Sequence, residues 1–265
     1  MAETLVQLVR QGPVAQVTID RPARLNALTP CMLDALEHIA REIEADGAIR
    51  AVVLTGRGDR AFCAGADIHA WAALQPLDMW RQWVRRGHQV FDGWARLRQP
   101  VIAALNGHAF GGGLELAITS DVRIAVDTAQ FALPEASIAT CPGWSGSQRL
   151  VRLIGPGHAK YLALGGVRLS ADQALACGLV HERVPASELG LRAAALAHDM
   201  AGQAPVALQL TKQLINAAAG EDAPAALEAM AAALAASTAD AAEGLLSFRS
   251  EEHTSELQSH LNIVC

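Results

Sequence analysis

Three short β-type runs set the first constraint: RAVVLTG at 50–56, PVIAALNG at 100–107 and DVRIAV at 121–126. Each is too short and too β-branched for a core helix, and a segment of helical spacing separates the first two. Strand, loop, helix and strand repeating in this order predicts an α/β core with its loops gathered at strand ends.

The flanking segments extend the pattern. LVQLV, a turn at Gln11, Gly12 and Pro13, and VAQVTI with alternating apolar positions predict an opening hairpin. Thr29 is placed to cap a helix whose apolar positions Met32, Leu33, Leu36, Ile39, Ala40 and Ile43 keep helical spacing until Gly47. Residues 74–97 return to that spacing, with Leu77, Trp80, Val84, Phe91 and Trp94 on one side as core or subunit contact. Between them, GRGDRAFCAGADI reads as a loop rich in glycine and alanine. From 186 the pattern is helix only, broken near Gly202–Pro205 and at Gly220. The expected organisation is an α/β core over 1–185 and a helical region over 186–248.

Residues 249–265 stand apart, polar and without periodicity. The stretch from Arg249 to Ser259 matches an in-frame translation of DNA resembling a common sequencing-library adapter. The segment is therefore expected to be non-native, with the natural C-terminus missing, and it is set aside from functional reasoning. Its His253, His260 and Cys265 are not taken as a metal cluster.

Bulk properties remove several classes of function. With 265 residues, 51% hydrophobic and 18% charged, the chain can bury a sizeable core. Its net charge of −6 and lack of any basic run argue against nucleic acid or an anionic membrane as partner. Five cysteines scatter without a CxxC, which fits a reducing compartment. The N-terminus has no continuous apolar core of a signal peptide, and the Ala-rich 223–236 carries Glu228 and is shorter than a membrane span. The expected location is the cytoplasm.

The chemistry concentrates in AFGGGLELAITSDVR at 109–123. Three glycines that follow a strand and open a helix can present bare backbone N–H groups to a ligand. A phosphate loop would need GxGxxG or a Lys-Ser/Thr ending, and neither is present. The other reading is an oxyanion hole, with donors aimed at a carbonyl oxygen that gains charge during reaction. Such a hole needs two donors, and the small residues of AFCAGADI offer a second amide at Ala66. Glu115 follows in the first helical turn, where the macrodipole favours negative charge. Glu135 sits among apolar residues in FALPEASI. Either glutamate alone reads as a surface carboxylate on an amphipathic edge. Together, in an apolar pocket, they could divide general-acid and general-base work. The string GWSGS at 143–147 is not GxSxG, because Ser147 replaces the last glycine, and no Asp/His partner is evident in the sequence. His108 reads as a packing residue and His69 as a solvated one.

The segments RPARLNALT, AFCAGADI, NGHAFGGGLELAITSDVRIA, FALPEASIATCPGWSGSQRL and ADQALACGLVHERV, in this order, resemble the enoyl-CoA hydratase/isomerase (crotonase) family. The resemblance covers about residues 5–245. It implies a crotonase-like spiral of ββα units with a C-terminal helical region that forms trimers, often paired as hexamers. It also implies that Ala66 and Gly112 supply the oxyanion-hole amides and that Glu115 and Glu135 are the catalytic pair. Arg24, Leu25, Ala64, Asp67 and Ile68 fall where the family contacts coenzyme A, and Gly111, Gly143 and Trp144 along the substrate path. No metal or redox cofactor is implied, since coenzyme A belongs to the substrate. Hydration of a 2-trans-enoyl-CoA is the expected reaction; double-bond isomerisation and non-catalytic binding of CoA thioesters are the alternatives. Two positions depart from the family pattern: Trp144 stands where a small residue is common, and Ser145 replaces a glycine.

Overall fold

The structure is a computed structural model that describes residues 5–249. The suspected non-native tail lies almost wholly outside the described residues, only Arg249 being the last residue of a helix. The chain divides into two compact units between Lys212 and Gln213.

The opening hairpin forms as expected, β1 (Val6–Gln11) pairing antiparallel with β2 (Val14–Ile19). Helix α1 (Pro30–Ala45) follows. Thr29 Oγ1 accepts the Met32 N–H at 3.4 Å and Pro30 occupies the first position, a start that satisfies one orphan amide and removes another. All six expected apolar positions of α1 are buried. Strand β3 (Ala51–Gly56) leads to β4 (Ala61–Cys63), then to the one-turn α2 (Ile68–Trp71).

The next helical stretch runs through α3 (Pro76–Asp78), a π-helical segment Met79–Val84, and α4 (Arg85–Arg96). Here the expected apolar face needs correction. Leu77 is 56% and Trp80 57% exposed, and the inward face is Trp83, Val90, Phe91 and Trp94. The wider π turn advances the phase of the helix, so a stripe counted at α spacing slips off the buried side. Trp94 is fully buried and its Nε1 donates to the Leu36 carbonyl at 3.1 Å, which ties α4 to α1.

Strand β5 (Val101–Leu105), β6 (His108–Phe110), α5 (Gly112–Ala117), β7 (Val122–Val126) and β8 (Gln130–Ala132) come next. A 3-10 turn at Glu135–Ile138 leads to α6 (Gly146–Gly165), kinked at Gly155 before Pro156. After it come β9 (Leu169–Ser170), α7 (Ala171–Ala176), β10 (Glu182–Val184) and α8 (Leu189–Ala201). The helices α9 (Pro205–Ala218), α10 (Ala223–Ala236) and α11 (Ala239–Arg249) complete the described chain.

The strands build two sheets. One has the order β1-β2-β3-β5-β7-β10, parallel beyond the first hairpin. The other has the order β4-β6-β8-β9. Successive pairs β3/β4, β5/β6 and β7/β8 each place one strand in either sheet, which is the ββα spiral. Strands β3 and β5 are buried almost throughout, and α8 packs on the same sheet through Leu189, Ala193, Ala197 and Ala201. Within the first unit, Lys212 Nζ donates to Asp121 Oδ2 at 2.7 Å and to the Gln99 carbonyl at 2.9 Å. Arg123, fully buried, donates to the carbonyls of Leu179 and Ser120 at 2.7 and 2.5 Å.

Candidate active site

The two sheets bring three loops together: 64–68 after β4, 111–115 after β6, and 134–146 after β8. They enclose a cavity of about 230 Å³. Of the residues expected in the site, Ala64, Ala66, Ile68, Gly111, Gly112, Glu115, Glu135, Gly143 and Trp144 line it. Arg24, Leu25 and Asp67 do not line it.

The amide of Ala66 is left free by the pairing around it. Leu28 N donates to Gly65 O and Asp67 N donates to Leu28 O, both at 2.8 Å, so Leu28 forms a parallel bridge with Ala66. In extended backbone alternate residues point to opposite sides, and the Ala66 N–H therefore faces away from Leu28. Gly112, first residue of α5, has no earlier turn to accept its N–H. A Cβ at Gly112 would lie 3.5 Å from Ala66 N, and the two amides border one small space. The same Cβ would come within 2.7 Å of the Trp144 ring, so the close approach of this indole requires glycine there. Gly111 enters the helix at φ +52°, a conformation glycine adopts without strain.

Glu115 is 2% exposed. Its Oε1 accepts the N–H groups of Trp144 and Gly146, both at 2.8 Å. Burial raises its pKa; the amides of Trp144, Gly146 and Gly143 and the charge of Arg149 oppose that rise. Glu135 begins the 3-10 turn, and its Oε1 would lie 2.8 Å from a Cβ on Gly111. Its Oε2 is buried without a hydrogen-bond partner. Desolvation, with a smaller contribution from Glu115, pushes its pKa up to about 7. Two carboxyls thus line the cavity that the Ala66 and Gly112 amides border, and burial raises the pKa of both.

The residues off the cavity have other work. Asp67 Oδ1 accepts the His69 N–H at 3.0 Å, capping α2, and Oδ2 pairs with Arg21 at 2.7 Å, a hydrogen bond that holds its carboxyl below the usual range. Arg21 also donates to Ala27 O at 3.0 Å. It is this arginine, rather than the exposed Arg24, that ties the 21–28 loop to the 64–68 loop. Leu25 accepts the Ala64 N–H at 2.9 Å through its carbonyl. His108 is half-buried, accepts the Gln130 N–H at 3.2 Å and stacks on Phe110; His69 is exposed.

Ser145 has the partners that its sequence context did not reveal. Its Oγ lies 3.2 and 3.1 Å from the two ring nitrogens of His88 and donates to Asp92 Oδ1 at 3.3 Å. Asp92 Oδ1 in turn accepts from Arg149 at 2.7 Å. This is no nucleophile, because Ser145 is buried and does not line the cavity. The network lies under the 143–146 loop whose amides grip Glu115. Among the described residues no three His, Cys, Asp or Glu side chains converge as a metal-binding group. Nor, among the described residues, is any helix long and apolar enough to cross a membrane.

A spiral of ββα units with free amides and two carboxyls at the mouth of its strands defines a class, and the comparisons give it a name. A family model for Enoyl-CoA hydratase/isomerase matches residues 9–256, and the chain belongs to that family. It is 44% identical over 211 residues to the short-chain-enoyl-CoA hydratase of Clostridium acetobutylicum, covering 80% of either chain. To the crotonyl-CoA hydratase of Syntrophomonas wolfei it is 36% identical, covering 94% of this chain and 96% of that one. Among solved structures, the enoyl-CoA hydratase from Bacillus anthracis superposes with a TM-score of 0.80 at 35% identity, over 94% of this chain and 97% of that one.

Proposed function

We propose that the protein is an enoyl-CoA hydratase that adds water across the double bond of a 2-trans-enoyl-CoA. The observation that supports the reading is that Glu115 and Glu135 line one cavity with Ala66 and Gly112, whose amides border a small space. The thioester oxygen sits between the two amides, which stabilise the charge it gains as the enolate forms; no metal or redox group is required. Water is held between the carboxyls. Glu115 takes one proton from the water as its oxygen bonds to C3, and the C2–C3 π electrons move into the thioester enolate. Glu135, carrying a proton near neutral pH, delivers that proton to C2. The sum is one water added, hydroxyl at C3 and hydrogen at C2, with both carboxyls restored by proton exchange.

A titration near pH 7 suits this division of labour, since a general acid or base works best close to the operating pH. The names of the relatives point the same way. The isomerase alternative requires only one carboxyl moving a proton between carbons. Glu115 disfavours it here, being anchored by two amides directly beside the cavity. The reading includes coenzyme A contacts along Ala64 and Ile68, and assembly into trimers or hexamers in the cytoplasm. Exposed apolar side chains such as Leu227 and Leu234 on α10 are suited to a neighbouring subunit. Incubation of the purified protein with crotonyl-CoA, read by mass spectrometry, and with a 3-enoyl-CoA, read by the absorbance of the conjugated thioester, tests the choice. Gain of one water by crotonyl-CoA supports it; double-bond migration without hydration overturns it.

A further inference from the structure

The cavity ends on an aromatic wall. Trp144 is 3% exposed and lies against Gly112 on the catalytic side. Its ring stands 5.3 Å from that of Trp83 and 5.1 Å from that of Phe91, and its Nε1 donates to the Trp83 carbonyl at 3.4 Å. Gly87 is cut to fit this arrangement, since a Cβ there would run into the Trp144 indole. The wall is close-packed and cannot give way without moving α4.

A second, more open cavity of about 450 Å³ adjoins it, with Leu33, Ala70 and Leu74 on its apolar side and Asp34, Arg81 and Arg86 on its charged side. Trp83 lines both cavities. Arg86 is engaged with Asp34 and Glu37 at 2.7 and 2.6 Å, so its charge is already satisfied on the far side.

We propose that Trp83 is the specificity-determining residue that limits the acyl chain, its indole partitioning the reaction cavity from a second cavity that a longer chain would fill. This rests on the hydratase reading only for the identity of the reaction. The thioester end is fixed by the Ala66 and Gly112 amides, so added methylenes extend toward the Trp83–Trp144 wall. Each methylene that fits gains about fourfold in affinity, and the first that does not fit gains nothing.

The test measures kcat/KM for crotonyl-, 2-hexenoyl-, 2-octenoyl- and 2-decenoyl-CoA, together with binding of the saturated butyryl- to decanoyl-CoA series by calorimetry. The wild-type protein is expected to lose efficiency and affinity sharply toward the longer chains. In Trp83→Leu, folded as judged by its melting transition, the decenoyl-to-crotonyl ratio rises roughly tenfold or more. Trp83→Phe, which keeps an aromatic in the wall, shifts the ratio less and serves if the leucine variant does not fold. A wild-type protein that treats crotonyl- and decenoyl-CoA alike overturns the proposal, as does an unchanged ratio in a folded variant. Saturated acyl-CoAs bound with a Trp83-dependent length limit, without any hydration, would leave this proposal standing and remove the hydratase reading instead.

Discussion

Trp144 meets α5 at two points: its N–H donates to Glu115 Oε1 at 2.8 Å, and its ring packs against Gly112, one turn earlier. The carboxyl is therefore both a reacting group and a fastener for the 143–146 loop. Replacing it separates the two roles.

Glu115→Gln keeps a side-chain oxygen able to accept from Trp144 and Gly146. Its melting temperature is expected to stay near that of the wild-type protein while kcat falls at least ~100-fold. Glu115→Ala leaves two buried N–H groups unsatisfied and is expected to lose about 1–3 kcal/mol as well. Equal stability of the two variants in denaturant titration would contradict the fastening role.

Glu135 predicts a pH dependence of stability with a definite sign. Its folded pKa of about 7 lies above the ordinary 4.5, so the folded state holds the proton more tightly. Its stabilising contribution is full below the ordinary value and is lost as pH rises through about 7. Glu135→Gln cannot titrate. Between pH 5 and pH 8 its melting temperature should fall less than that of the wild-type protein; parallel curves would contradict the assignment.

Ser145 sits at φ +74°, where a side chain is strained, and its hydroxyl reaches His88 and Asp92. Ser145→Ala loses the hydrogen bonds and keeps the strain, whereas Ser145→Gly loses both. The glycine variant is expected to be the more stable of the two by about 1 kcal/mol. A more stable alanine variant would show that backbone strain is not what the hydroxyl offsets.

Arg123 is a buried cation whose hydrogen bonds run to main-chain carbonyls, drawing the 179–181 segment to β7. Arg123→Ala removes these bonds and opens a cavity, and should cost about 3 kcal/mol in chemical denaturation. It lies outside the cavity lining, so the folded fraction should keep its kcat.

Much of the fold could be read from the sequence because two independent signals coincided. In α1 the cap at Thr29 and the spacing of six apolar residues agree, and both are realised. Strands β4, β6 and β8 escaped because three residues are too few for a period to appear. Of the face expected over 74–97, Phe91 and Trp94 are buried, whereas Leu77 and Trp80, at or before the π turn, are exposed. Within the site, Glu115 was marked by its glycines, and Glu135 by its family context more than by its neighbours. Arg21 pairs with Asp67 across 46 residues, and Ser145 meets His88 across 57. Local pattern carries no trace of such partners; only the fold brings them together.

The central claim is that two glutamates around a pair of free amides hydrate an enoyl thioester. Loss of crotonyl-CoA absorbance, followed at pH 7 with wild-type protein and Glu135→Gln, tests it most directly. The account predicts turnover by the wild-type protein and a fall in kcat of at least ~100-fold in the variant. A folded wild-type protein that binds crotonyl-CoA without consuming it, or a glutamine variant as fast as wild type, would contradict it.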